Sequence, residues 1–467
     1  MPLRHVHGAG APHDLALLLR PETLIDARAG FRNDRTETFG ISTEANRIDV
    51  AQLPESTTGL EAFRNWGESA GDLIRAINTR IQRPYAIDFS SVELSAAQLR
   101  QLVGGVISGL GGSNSAEQVT LTFHTLLDDK TFTELLEDEM RTQRAIELAA
   151  SLVDMRSNQL TPVEFAKRAR TIATNRGLGC RITGADELRA QGFGGIAAIG
   201  QGSANGPVLV ELWHSGNAAL TEEPPEGALA IAGKGVTFDS GGLSLKPPTS
   251  MYGMHTDCAG AATVLAAMST LTALNVSTAV YAALPLVENI PSSNSVRPGD
   301  VVTMRNGMGL EIIDTDFEGR VILADAVGLL AESKPKAVVS LATLTYQIVV
   351  ALGPEIAGLF SRDAQLAQRL LASAERSGEA LWKMPWAERY RGQLTSIAPG
   401  ADLRNHPLHD SGRAITAALL IGEFVPKDIP FAHIDFAGPA VKPTPNGPVA
   451  TGYGVRTIID FIVNWEQ

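Results

Sequence analysis

Three short clusters in this sequence carry residue types that can do chemistry. The first is Gly233-Lys234-Gly235-Val236-Thr237-Phe238-Asp239-Ser240-Gly241-Gly242, which follows the apolar run at 228–232. That run reads as a strand, so Lys234 and Asp239 fall at or just past its C-terminal end, where open α/β sheets hold ligands. The glycines let backbone approach a bound group closely. Taken alone, the segment reads as a glycine-rich turn with a surface Lys–Asp pair. The second cluster is Lys246 followed by Met254-His255-Thr256-Asp257-Cys258-Ala259-Gly260. Its small residues open a helix, which makes Asp257 a helix cap by default and His255 a hydrogen-bonded surface residue. The third is Asp314-Thr315-Asp316-Phe317-Glu318-Gly319-Arg320. In extended chain Asp316 and Glu318 face one side, and three acids in five residues repel one another unless a cation is present. An exposed acidic turn is the plain alternative.

The three clusters together change the weighing. Each puts acids at a strand end or a helix start, with no cysteine thiolates and no histidine pair. Hard oxygen donors with borderline nitrogen suit divalent ions such as magnesium, manganese or zinc. Asp239, Asp257, Asp316 and Glu318 are more carboxylates than one ion needs. Two cations about 3.5–4 Å apart, bridged by shared carboxylates, balance them.

The elements that must position these residues have an α/β pattern from about residue 178. Apolar runs at 208–212, 228–232, 278–283, 337–341 and 431–434 read as strands. Helical patterns lie between them at 259–274, 321–331, 364–377 and 414–424. Strands without polar alternation are buried on both faces, which implies a large central sheet covered by helices. A long helical pattern starts at Asp128–Asp129 and ends near Met155; a second starts at Thr161-Pro162-Val163-Glu164, with proline in the first turn. These read as connecting helices over 131–177, between a smaller α/β domain at 1–130 and a catalytic domain at 178–467. In the first part 104–107 reads as strand-like, 119–123 alternates, polar residues crowd 31–43, and 109–115 reads as a turn. No metal-ligand or nucleophile pattern appears there.

The chain has 467 residues, 44% of them apolar and 19% charged, with a net charge of −12. This excludes a disordered or fibrous chain. Net acidity without a segregated basic block argues against nucleic acid and anionic membranes as partners; Lys167, Arg168 and Arg170 form only a modest cluster. Two cysteines, Cys180 and Cys258, form neither a thiolate zinc site nor a disulfide framework. No apolar run is long enough for a membrane span, and the first residues lack a signal-peptide pattern, so a cytoplasmic protein is expected. The run 192–197 fits G-x-G-x-x-A, but 196–199 reads as a strand, so the context for dinucleotide binding fails. Ser240 is not in a G-x-S-x-G elbow.

The segments GKGVTFDSGGLSLK and DTDFEGRVILADA resemble the two signatures of the leucyl aminopeptidase family, the two-metal cytosolic aminopeptidases of the peptidase A and peptidase B type. The similarity continues in order through ATLT at 342–345, GRAITAALL at 412–420, HIDFAGPA at 433–440 and GYGVR at 452–456. It covers residues 145–467; the N-terminal third agrees in size and position.

The resemblance implies an aminopeptidase that removes N-terminal residues from peptides through a water activated by two divalent ions, zinc or manganese, or else magnesium or cobalt. Asp239 and Glu318 correspond to bridging carboxylates, Asp316 to the weaker site, and Lys234 and Asp257 to the tighter one. Lys246 and Arg320 correspond to the two catalytic cations, Lys246 stabilising the oxyanion and Arg320 holding a bicarbonate general base. Met254, Thr343 and Leu344, with Tyr346, Ala437 and Ala440, correspond to substrate contacts. A homohexamer, a dimer of trimers, is the implied assembly. A silent relative acting as a binding or DNA-accessory protein is the alternative. Departures from the family pattern fall at Asp314, Ala259 and Phe317, in the junction 153–157, and at Tyr346 and Ala440. Tyr346 narrows the side-chain pocket and Ala440 widens it, so leucine preference does not follow.

Overall fold

A computed structural model of the chain describes residues 121–444 and 447–466 continuously, and before them 3–7, 16–20, 31–32, 38–42, 47–51, 60–78, 85–88 and 94–111. The chain divides into two compact units, Met1–Arg144 with Glu375–Gly378, and Ala145–Ala374 with Glu379–Gln467. The division falls inside the helix Asp129–Asp154.

The first unit carries a seven-stranded sheet in the order Leu3–His7, Leu121–Thr125, Tyr85–Asp88, Ala16–Arg20, Arg47–Ala51, Thr38–Ser42, Phe31–Arg32. Two of the strands thus fall in the polar stretch 31–43. Helices Leu60–Asn78 and Ala96–Gly109 pack beside each other. The segment 104–107, expected as strand-like, lies inside the second of these helices. The reasons are local and tertiary. Ser95 and Gln98 close a capping box that starts the helix, and Gly105 lets it touch its neighbour, where a Cβ would stand 2.2 Å from the Arg64 carbonyl oxygen. Beyond position 111, the turn expected at 109–115 lies outside the described residues, as do the first two residues of the alternating stretch 119–123.

The second unit is built on a nine-stranded mixed sheet. Eight strands run in the order Leu381–Lys383, Ala357–Ser361, Phe431–Asp435, Ala337–Ala342, Leu229–Gly233, Ala279–Asn289, Val208–Ser215, Gly179–Thr183. The central strands are parallel, and Val208–Ser215 and Ala357–Ser361 run against their inner neighbours. Burial on both faces follows from the absence of polar alternation. Val210, Leu212, Ile231 and Val339 pack with the helices Pro162–Arg176, Ala259–Met268 and Val455–Val463. Leu209, Trp213, Ala230 and Val338 face the opposite way, toward Gly194–Gly200, Glu318–Glu332 and Arg413–Gly422. Among the described residues, no helix is long and apolar enough to cross a membrane.

The run 196–199, expected as a strand, is part of the helix Gly194–Gly200. A distant side chain stabilises this helix: the buried Asp325 carboxylate accepts from the Ile196 amide at 2.9 Å. The helix N-terminus is therefore satisfied by a protein carboxylate, and the element before it is the helix Ala185–Ala190 rather than a strand. Both facts oppose a phosphate site at this motif.

The ninth strand positions the chemistry. Gly235–Asp239 follows Leu229–Gly233 after one residue and pairs in parallel with the end of the long strand Ala279–Asn289, setting Asp239 opposite Asn289. Lys234 sits at the break between the two strands. There the helix Ala259–Met268 approaches backbone to backbone, with the Ala261 amide donating to the Lys234 carbonyl at 2.7 Å and the Lys234 amide donating to Leu341 at 3.0 Å. A Cβ on Gly260 would stand 2.5 Å from the Leu341 carbonyl oxygen and 2.7 Å from the Lys234 nitrogen. Gly260→Ala is therefore expected to destabilise the chain by about 1–3 kcal/mol. A urea-unfolding midpoint equal to that of the parent chain contradicts this close approach.

Candidate metal centre

The sheet brings the three sequence clusters to one cleft. Lys234 follows the end of the strand Leu229–Gly233, as the sequence suggests, whereas Asp239 is the last residue of a second strand, Gly235–Asp239, where the sequence reads a turn. Asp257 follows the short 3-10 turn Met254–Thr256. It does not cap the helix that follows: Cys258 occupies that position with no side-chain cap bond, and the Asp257 carboxylate accepts from Thr343 Oγ1 at 2.7 Å. His255, expected at the surface, is buried, with its Nε2 3.3 Å from Arg156 Nη1. Glu318 is the first residue of its helix and Asp316 lies two residues before it.

Oxygen atoms of Asp239, Asp316 and Glu318 lie within 4.8 Å of one another. Lys234 Nζ stands 2.7 Å from Asp257 Oδ2 and 2.8 Å from Glu318 Oε1, and donates to the Thr343 carbonyl at 3.2 Å. Lys246 Nζ stands 2.7 Å from Asp239 Oδ2 and also pairs with Asp316. Four carboxylates thus face two ammonium groups, with Lys234 and Glu318 only 3% and 2% exposed.

The electrostatics follow from that imbalance. Burial, reinforced by neighbouring carboxylates, pushes Asp257 and Asp316 each up to about 7. Burial opposes charge on Lys234, but Asp257, Glu318 and Asp239 outweigh it and hold the ammonium above the usual lysine range. Lys246 is held up in the same way, chiefly by Asp239. The buried atom Glu318 Oε2 has no hydrogen-bond donor among the described residues. Excess buried anion with an acceptor oxygen left over is a donor set that fits divalent cations.

Arg320 is 2% exposed and donates from Nη1 to the Asn405 carbonyl at 3.3 Å, while its Nε finds no partner among the described residues. Burial, with Arg413 nearby, lowers it to about 10. The cleft encloses about 680 Å³, and its walls include Met254, Thr343, Leu344, Tyr346, Ala437 and Ala440. Tyr346 is 74% exposed at the start of the helix Tyr346–Leu352, whereas Ala440 is buried.

Sequence reasoning missed the residues that hold this site in place. Asn289 Nδ2 donates at 2.9 Å to Asp239 Oδ1 and to the Thr315 carbonyl. Asp435 accepts from Thr345 Oγ1 at 2.6 Å and from the Leu344 amide at 3.1 Å, fixing the segment after the strand Ala337–Ala342. Asn405 accepts from the Ile313 amide at 2.8 Å and donates to the Asp314 carbonyl at 2.7 Å. Asn289 and Asp435 are each the last residue of a strand, a position that could have marked them; Asn405 carries no such signal.

Comparisons with known proteins bear on the family of the chain. Residues 147–459 match the model of the cytosol aminopeptidase family, catalytic domain. The chain belongs to this family. It is 41% identical over 328 residues to a "Probable cytosol aminopeptidase" of Roseiflexus castenholzii, a match covering 69% of this chain and 65% of that protein. A relative of the same name from Mycobacterium tuberculosis is 34% identical over 476 residues, covering 94% and 88%. Among solved structures, the bottromycin maturation enzyme BotP in complex with Mn superposes with a TM-score of 0.83 at 32% identity, covering 97% of this chain and 99% of that one. A point mutant of tomato leucine aminopeptidase gives 0.78 at 30% identity, covering 89% and 81%.

Proposed function

We propose that this chain is a metal-dependent aminopeptidase that hydrolyses the N-terminal residue from peptides. The observation that supports this reading is the convergence of Asp239, Asp257, Asp316, Glu318, Lys234 and Lys246 in one cleft with more carboxylates than ammonium groups. Asp239 and Glu318 would hold two divalent ions in common, Asp316 one of them, and Asp257 with Lys234 the other. Zinc and manganese suit this donor set, as do magnesium and cobalt. Bound there, the ions supply Lewis acidity toward the scissile carbonyl and a water nucleophile at neutral pH.

The chain's own residues do the rest. Lys234 would join that set as a neutral amine, releasing its proton to solvent where the cations offset the charge of Asp257 and Glu318. Lys246, at the edge of the cluster, keeps its proton and donates from Nζ to the oxyanion that develops on the substrate carbonyl. Arg320 offers a buried guanidinium with an unpartnered Nε, which fits a planar oxyanion; bicarbonate held there supplies a general base. Met254, Thr343, Leu344, Tyr346, Ala437 and Ala440 enclose the first residue of the peptide. The reading extends to a cytoplasmic homohexamer built as a dimer of trimers.

The test is hydrolysis of a peptide with a free amino terminus and of its N-acetylated form. Turnover of the free form alone, abolished by chelator and restored by manganese or zinc, is the expected result. Cleavage of the acetylated peptide at the same rate, or indifference to chelator, overturns it.

A further inference from the structure

Arg413 lines the same cleft but takes no part in the carboxylate–lysine cluster. It is the first residue of the helix Arg413–Gly422, and its guanidinium carbon stands 5.5 Å from the ring centre of Phe317. Arg320 lies over the same ring at 4.2 Å, and the His406 ring is 4.6 Å away. Phe317 separates Asp316 from Glu318 in the sequence, so Arg413 is placed beside the loop that carries two of the candidate ligands.

The partners of Arg413 are weak ones. Among the described residues its one ion pair is with Asp410, 2.6 Å from Nη2, and that side chain is 80% exposed. Such a pair contributes little in water. Its Nε is buried and has no hydrogen-bond partner among the described residues. The other cations of the cleft are Lys234 and Lys246, each held by two carboxylates, and Arg320, which the reading above gives to bicarbonate. Arg413 is thus a cation in the cleft wall that a substrate anion can engage without taking apart the metal-ligand set or displacing the general base.

We infer that Arg413 is a specificity residue that receives a carboxylate of the peptide substrate downstream of the scissile bond. The inference rests on the aminopeptidase reading above. With the free amine at the acidic cluster, the chain beyond the first residue is the part of the substrate left to meet the cleft wall. A planar, permanently charged guanidinium braced by an aromatic ring suits a carboxylate. That group can be the C-terminus of a dipeptide or an acidic side chain at the second residue. Asp410 competes for the same nitrogen and is displaced when the carboxylate arrives.

The experiment measures kcat/KM for X-Ala, X-Ala-amide and X-Glu-amide, where X is the residue the enzyme removes fastest. X-Ala-amide has no carboxylate and reports the aminopeptidase activity itself. The expected result is a preference of roughly tenfold for X-Ala or X-Glu-amide over X-Ala-amide, the size of one charge-assisted hydrogen bond. Whichever of the two is preferred identifies the source of the carboxylate. Arg413→Gln brings that ratio to about one, and Asp410→Asn, which releases the guanidinium, raises it. Equal rates on all three substrates in the parent chain overturn the inference, as does an unchanged ratio in Arg413→Gln. Should Arg413→Gln fail to fold, an unchanged ratio in Asp410→Asn also overturns it. Absence of turnover on every substrate refutes the aminopeptidase reading first and this inference with it.

Discussion

Asp239→Asn is expected to purify as a folded chain that has lost its divalent metal. The substituted amide keeps a side-chain oxygen, so it can still accept from the Gly241 amide and from Asn289 Nδ2, both 2.9 Å from Asp239 Oδ1. Its NH2 group, however, faces the Lys246 ammonium, donor against donor, where Asp239 Oδ2 stands 2.7 Å away. The change also removes one of the four carboxylates whose excess over Lys234 and Lys246 attracts cations. Altering a residue that merely orients a ligand costs roughly 10–100-fold in metal affinity, so loss of a shared ligand exceeds that. Elemental analysis of the purified variant reads the outcome, with circular dichroism as the check on folding. Two metals per folded chain would remove Asp239 from the bridge.

Lys246→Ala is expected to retain its metal and lose turnover by about 10²–10³-fold in kcat, the effect of deleting one oxyanion donor. The two variants separate because Lys246 works against the cations rather than for them. Its ammonium offsets Asp239 and Asp316, so removing it leaves the cluster more negative and the metal at least as tightly held. An intact metal content with a fallen kcat and a KM within a few-fold of the parent is the signature of a group acting on the transition state. Turnover equal to that of the parent removes the oxyanion role from Lys246.

Much of this was legible in the sequence, for identifiable physical reasons. Strands buried on both faces write long apolar runs, which is why those at 337–341 and 431–434 correspond to Ala337–Ala342 and Phe431–Asp435. Acids crowded at 314–318 repel one another without a cation, and that signal survives without any structure. What was illegible depended on distant partners. The helix Gly194–Gly200 is capped by Asp325, 129 positions away, and the helix containing 104–107 is shaped by contact with Leu60–Asn78. Asp257 has the sequence context of a cap, yet Thr343 from another strand end fixes its carboxylate. Asn405 carries no motif of its own, Asn289 is marked only by its place at a strand end, and Arg413 lies in the segment 412–420 without a role being read for it; they matter because the sheet register and loop packing bring them beside groups far away in the chain.

The most direct test is anomalous scattering from crystals of the parent chain soaked with manganese or zinc. The account predicts two peaks among the carboxylates of Asp239, Asp257, Asp316 and Glu318, with the Lys234 nitrogen coordinated to one of them. A cleft with no peak in it, or a Lys234 side chain directed away from the ions, contradicts it.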